Sequence, residues 1–156
     1  MATRGTVIVL DAMNTQVVCP NNTVENTIWS YVLPGGWMKE NSGIRLSIIS
    51  TVTASANMKR LRGYFGGFLF LSAGQNGGTS KTYYFQRTVL NRNSLNAQIS
   101  ENENCTILGS SVDAVVTGTV NTANDITMSI TIQKDAAAVA AGNVAAVEKI
   151  TLEFLP

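Results

Sequence analysis

The residues able to carry chemistry are few in this chain, and their spacing narrows them further. Histidine is absent, which removes Ser-His-Asp and Cys-His nucleophilic sites and every histidine-ligated metal centre. Cys19 and Cys105 are the only cysteines, too few for a four-thiolate zinc site or an iron–sulfur cluster within one chain. Neither has a Lys or Arg close by in sequence to lower its pKa. The sequence leaves open a disulfide between them, but the reading taken is two reduced, buried thiols that pack rather than react. Glu101 and Glu103 alternate with asparagines, as solvated loop charges do. Calcium is the other chemistry such oxygens suit, yet no D-x-[DN]-x-[DN]-G order is present.

Three further groupings invite a test. The glycines at 63, 66 and 67 and the run from Asn76 to Lys81 lack the G-x-x-x-x-G-K-[ST] order and open no helix. They read as turns rather than phosphate cradles. Lys59, Arg60 and Arg62 stand beside Tyr64 and Phe65, a pairing of cations and aromatics that binds single-stranded nucleic acid. Three cations in a chain of net charge +1 leave no electrostatic footprint for nucleic acid. Lys59 and Arg60 therefore read as loop charges, and Arg62 as pointing outward on a strand. Trp37, Tyr83 and Tyr84 are aromatic candidates for a sugar platform or a contact. Trp37 follows Pro34-Gly35-Gly36 and precedes Met38, and aromatics with Met are enriched at interfaces, so it is read as a contact. General acid–base work would rest on unpaired carboxylates and tyrosines; no catalytic, cofactor or metal residue is assigned.

The elements that must position these residues follow from composition and periodicity. The chain has 156 residues, which suits one domain. Charged residues are 13% of it, while 17 Thr, 15 Asn and 12 Ser supply the polarity; such a surface suits sheets better than helices. No apolar run reaches the roughly 20 residues that span a bilayer, and the start shows no signal-peptide pattern. Period-two alternation dominates. Ile126, Met128, Ile130 and Ile132 share one face of a strand, as do Ile150, Leu152 and Phe154, and as do Ile44, Leu46 and Ile48. The segment 81–90 is rich in aromatic and β-branched residues: Tyr83, Phe85 and Val89 lie on one face, Tyr84 and Leu90 on the other. One face can fill the core and the other a neighbour. Shorter strands are expected at 6–10, 27–33, 61–65, 68–71, 96–100 and 111–119, with Gly- and Asn-rich turns between them. The alanine-rich stretch 135–146 reads as a loop with one helical turn, because Gly142-Asn143 interrupts it and no amphipathic stripe runs through it. Eight to ten strands without a substantial helix predict an all-β, jelly-roll-like sandwich, with residues 1–22 as an N-terminal arm or first strand and 23–156 as the sandwich.

Several short motifs occur in a recognisable order. Asn26-Thr-Ile-Trp-Ser-Tyr-Val-Leu-Pro-Gly-Gly36 is followed by Asn41-Ser-Gly-Ile-Arg-Leu46. Then come Asn57-Met-Lys-Arg-Leu-Arg-Gly-Tyr-Phe-Gly-Gly67, Phe85-Gln-Arg-Thr-Val-Leu-Asn-Arg-Asn-Ser94 and the terminal Ile150-Thr-Leu-Glu-Phe-Leu-Pro156. Over residues 24–156 this order resembles a bacteriophage structural domain of head decoration (cement) proteins, also found in tail fibres. The resemblance implies a trimeric jelly-roll-like module without enzymatic activity. The 135–146 loop is longer than that pattern expects. The expected role is therefore a virion structural protein on the capsid exterior, assembled in the host cytoplasm. Its expected partners are two further copies, forming a homotrimer, and the major capsid protein; no nucleic acid, membrane or cofactor is expected. The alternative is a tail-fibre or spike module that binds a receptor or glycan. Trp37, Tyr83, Tyr84 and Leu90 are the candidate subunit or partner contacts.

Overall fold

Alternation of apolar and polar residues is realised as eleven strands and one short helix in a computed structural model, which describes residues 5–77, 81–101 and 115–156. In chain order these are β1 (Ile8–Met13), β2 (Val17–Val18), β3 (Asn26–Leu33), β4 (Gly43–Val52), β5 (Ser55–Phe65) and β6 (Phe68–Gly77), then β7 (Lys81–Asn91), β8 (Gln98–Glu101), β9 (Val115–Gly118), β10 (Ile126–Lys134), α1 (Ala136–Ala140) and β11 (Ala145–Leu155). They form two antiparallel sheets: β1-β11-β4-β7-β8-β9, with β2 also on β11, and β3-β10-β5-β6. The chain crosses between sheets from β2 to β3, β3 to β4, β4 to β5, β6 to β7, β9 to β10 and β10 to β11. The expected all-β sandwich is thus present. Residues 8–18 lie along β11 of their own chain, as the edge of the larger sheet.

The core forms where the two alternating faces meet. Ile126, Met128, Ile130 and Ile132 of β10 are buried against Ile44, Leu46 and Ile48 of β4 and Ile150 and Leu152 of β11 within one cluster. Each such side chain removed from water contributes roughly 1.5–3 kcal/mol, so the period-two pattern is the main source of the fold's stability. Trp29 is also buried, its ring stacked on Tyr31 at 6.4 Å, and its Nε1 donates to Asp11 Oδ2 at 2.7 Å. Gly66 and Gly67 link β5 to β6 with φ of 54° and 85°, and Phe65 pairs directly with Phe68. Two successive positive-φ residues match the twist of a hairpin, and glycine adopts them without steric cost.

One local reading holds with a shifted end, and one changes. The helical turn expected within 135–146 is α1, whose N-cap Asp135 accepts from the Ala138 backbone N–H at 2.6 Å; β11 already begins at Ala145, before that segment ends. Lys59 and Arg60 are not loop charges, because both lie in β5, with Arg60 exposed. Lys59 lies on the inner face, in step with Leu61, Gly63 and Phe65, and is 0% exposed. Its long stem reaches the end of the sandwich, where the ammonium donates to Thr53 O at 3.2 Å and Ser55 Oγ at 2.9 Å. Arg62 does face away from the core, as alternation requires, where it is held by Glu25 and Gln133.

Candidate functional site

The strand β7 divides its aromatics between two environments. Tyr83 is half-buried on the inner face, packed against the core and stacked on Phe85 at 6.0 Å. Tyr84 and Leu90 point outward and are 62% and 38% exposed. They are six residues apart on one strand, about 20 Å at the usual rise. Register places Tyr84 beside Ile49 and Lys149, Gln86 beside Ser47 and Thr151, and Thr88 beside Arg45 and Glu153. The charges in the last row cancel locally, since Arg45 Nε donates to Glu153 Oε2 at 2.7 Å. That hydrogen bond and the charge behind it hold the Arg45 guanidinium above its ordinary range. The centre of this face therefore presents hydroxyls, amides, one internally paired ion pair and a phenol ring, with Lys149 as its free cation among the described residues.

Trp37 is elsewhere. It sits in the loop between β3 and β4, at the end of the sandwich beside Phe154 and Pro156. Its indole meets Phe154 edge-on, 5.6 Å between centroids at 76°, and the residue is 41% exposed. The neighbouring Met38 is fully buried and acts as the plug that fixes the loop. Its carbonyl accepts from Asn91 Nδ2 at 3.1 Å and Thr122 Oγ1 at 2.9 Å. Asn91 Nδ2 also donates to Lys39 O and Thr122 Oγ1, and Asn91 Oδ1 accepts from Gln98 Nε2 at 2.8 Å. Gln98 in turn bonds the backbone of Val120 through both amide atoms. Gly35 N donates to Asp125 Oδ1 and Gly36 N to Thr122 O. Three loops are tied together by buried amides, so Trp37 is presented from a rigid base.

The remaining polar groups serve the interior and the arm. Glu25 accepts from Arg62 Nη1 at 2.6 Å, Tyr64 OH at 2.8 Å and Thr131 Oγ1 at 2.5 Å. Burial pushes its carboxyl up, but these donors outweigh burial and leave it below its usual value. The Tyr64 hydroxyl is raised, by burial first and by the same carboxylate second. Sequence reasoning missed the buried pair Lys59 and Lys134, which stand opposite each other across β5 and β10. Lys134 Nζ donates to Asn21 Oδ1 and Asn143 O. The missed signal was the alternation itself, because 126, 128, 130, 132 and 134 form one series. Cys19 is a free, buried thiol whose pKa is raised by burial, against the lowering pull of Lys134 and Asn26. Cys105 and Glu103 lie outside the described residues. Glu101 ends β8 and accepts from the Thr88 backbone N–H at 2.8 Å. Among the described residues no group of three or more Cys, Asp or Glu gathers as metal ligands do.

No protein-family model and no curated protein sequence matches this chain. Among solved structures it is similar to the infectious bursal disease virus Gx strain structure, at 11% identity and TM-score 0.34, covering 99% of this chain and 43% of that one. It is also similar to the crystal structure of the infectious bursal disease virus VP2 subviral particle, at 12% identity and TM-score 0.28, covering 97% of this chain and 41% of that one. The chain thus spans about two fifths of the length of these structures, and superpositions this loose transfer neither topology nor role.

Proposed function

We propose that this protein is a virion structural component, a trimeric decoration (cement) protein that binds the outer surface of a bacteriophage head through the major capsid protein. The observation that carries the reading is the outer face of β11-β4-β7. Interfaces favour aromatic anchors and are depleted of Lys, Glu and Asp, because charges are costly to desolvate. This face offers Tyr84 and Leu90 among Ser, Thr and Gln, and its Arg45 and Glu153 are already paired. A second copy or a capsid subunit that covers it has one unpaired charge to satisfy, the exposed Lys149 ammonium. The order of motifs over residues 24–156 supports the phage assignment and supplies the number three. Cyclic association also fits a sandwich whose edge strand β1 exposes Ile8 and Val9, since closure protects edges from aggregation.

The test is reconstitution. Purified protein is mixed with capsids that lack it, and bound particles are separated from free protein. Saturable binding to heads, in multiples of three copies, is the expected result. Binding only to tails, or to no part of the particle, overturns the proposal and favours the fibre alternative.

A further inference from the structure

The hollow beside Trp37, about 500 Å³ in volume, is separate from the sheet face assigned above to subunit contact. Its apolar walls are the Trp37 indole, Phe154 and Pro156; its rim is Lys39, Glu40 and Ser42. Lys39 and Glu40 are exposed, and neither side chain has a hydrogen-bond or ion-pair partner among the described residues. Ser42 Oγ donates to Lys39 O at 2.9 Å and holds the rim in place. The Asn91 amide donates to the same carbonyl at 3.1 Å. The site is therefore preorganised, and a ligand loses little affinity to loop ordering.

Charge selects among occupants. Lys39 and Glu40 offset each other, so a simple anion or cation gains no net attraction from the rim. A hydrophobic peptide or a subunit face would desolvate both charges without pairing them. A neutral ring edged with hydroxyls satisfies each one, donating to the carboxylate and accepting from the ammonium. The polarised C–H face of such a ring lies on the electron-rich face of an indole, as other electropositive groups do. We propose that this hollow binds a neutral pyranose sugar, with Trp37 as the stacking platform and Glu40 and Lys39 as hydroxyl partners. The inference does not depend on decoration of a capsid, because it rests on the Trp37 loop alone.

Tryptophan emission provides the assay, since Trp29 is buried and Trp37 is the exposed reporter. The protein is titrated with glucose, galactose, N-acetylglucosamine and their short oligomers, with glucuronic acid and glucosamine as charged controls. A saturable emission change is expected for at least one neutral sugar, tenfold or more weaker for its charged counterpart. Trp37→Ala and Glu40→Ala should each weaken binding by tenfold or more, with emission replaced by calorimetry for the tryptophan variant. Trp37→Phe should retain part of it. No response to any neutral sugar overturns the proposal, as does binding that survives Trp37→Ala. A change of oligomeric mass in Trp37→Ala also overturns it, because the indole would then be a subunit contact.

Discussion

Asn91→Asp replaces one amide NH2 by an oxygen with almost no change in volume, so its effect reports hydrogen bonding and charge rather than packing. Asn91 is buried, and its Nδ2 faces three acceptors: Met38 O at 3.1 Å, Lys39 O at 3.1 Å and Thr122 Oγ1 at 2.8 Å. A carboxylate there sets a negative charge against two carbonyls, with only the Gln98 amide at 2.8 Å to stabilise it. An uncompensated buried charge costs about 3–5 kcal/mol. At roughly 2–4 °C per kcal/mol for a domain of this size, the midpoint of thermal unfolding should fall by about 10 °C at pH 7. The sign of the pH dependence is fixed. Burial and the carbonyls raise the folded pKa of the new Asp, so the folded state takes up a proton more readily than the unfolded chain. The deficit relative to the parent is therefore largest at neutral pH and shrinks as pH falls through that raised value, where the protonated acid again donates a hydrogen bond. Melting both proteins at pH 7 and pH 4.5, followed by near-ultraviolet circular dichroism, measures the difference. A variant within 2 °C of the parent at pH 7, or a deficit that grows on acidification, would refute the role given to this amide.

Other outcomes follow from the same geometry. Glu25→Ala removes the acceptor shared by Arg62, Tyr64 and Thr131 and should cost about 1–2 kcal/mol in urea unfolding at pH 7, the pair being partly exposed. Because the Glu25 carboxyl lies below its usual value of 4.5 when folded, this contribution is present above that value and is lost as pH falls through the lower folded one; equal loss at all pH would contradict it. Tyr84→Lys should reduce the light-scattering mass from three times 16.6 kDa toward one without changing the circular dichroism spectrum, and an unchanged mass would remove this face from the interface. In a Cys105→Ser background, Cys19 should resist iodoacetamide until the protein is unfolded, and rapid native alkylation would show that its burial is wrong.

Sheet layers were legible because burial writes a period of two into β4, β10 and β11, and the glycine pair at 66–67 marked its hairpin outright. Residues with mixed character were harder. Lys59 and Lys134 carry the polar label of a surface residue, yet their positions in the alternating series place them inside, and only the open end of the sandwich lets their ammonium groups find carbonyls. Sequence grouped Trp37 with Tyr83 and Tyr84 because they are aromatic. The fold separates all three: Tyr83 to the inner face, Tyr84 to the outer face and Trp37 to one end. That division depends on which strands pair and on the Asn91–Gln98–Thr122 network, in which Asn91 and Thr122 are 31 residues apart and no local motif marks the contact. The partnership of Glu25 with Arg62 and Thr131 was hidden for the same reason.

Cryo-electron microscopy of the parent particle, with and without this protein, tests the central proposal most directly. Decoration predicts difference density of three sandwich-sized lobes grouped on the outer surface of the head, with the β11-β4-β7 face buried against protein. Difference density confined to the tail, or single unclustered lobes on the head, would contradict it.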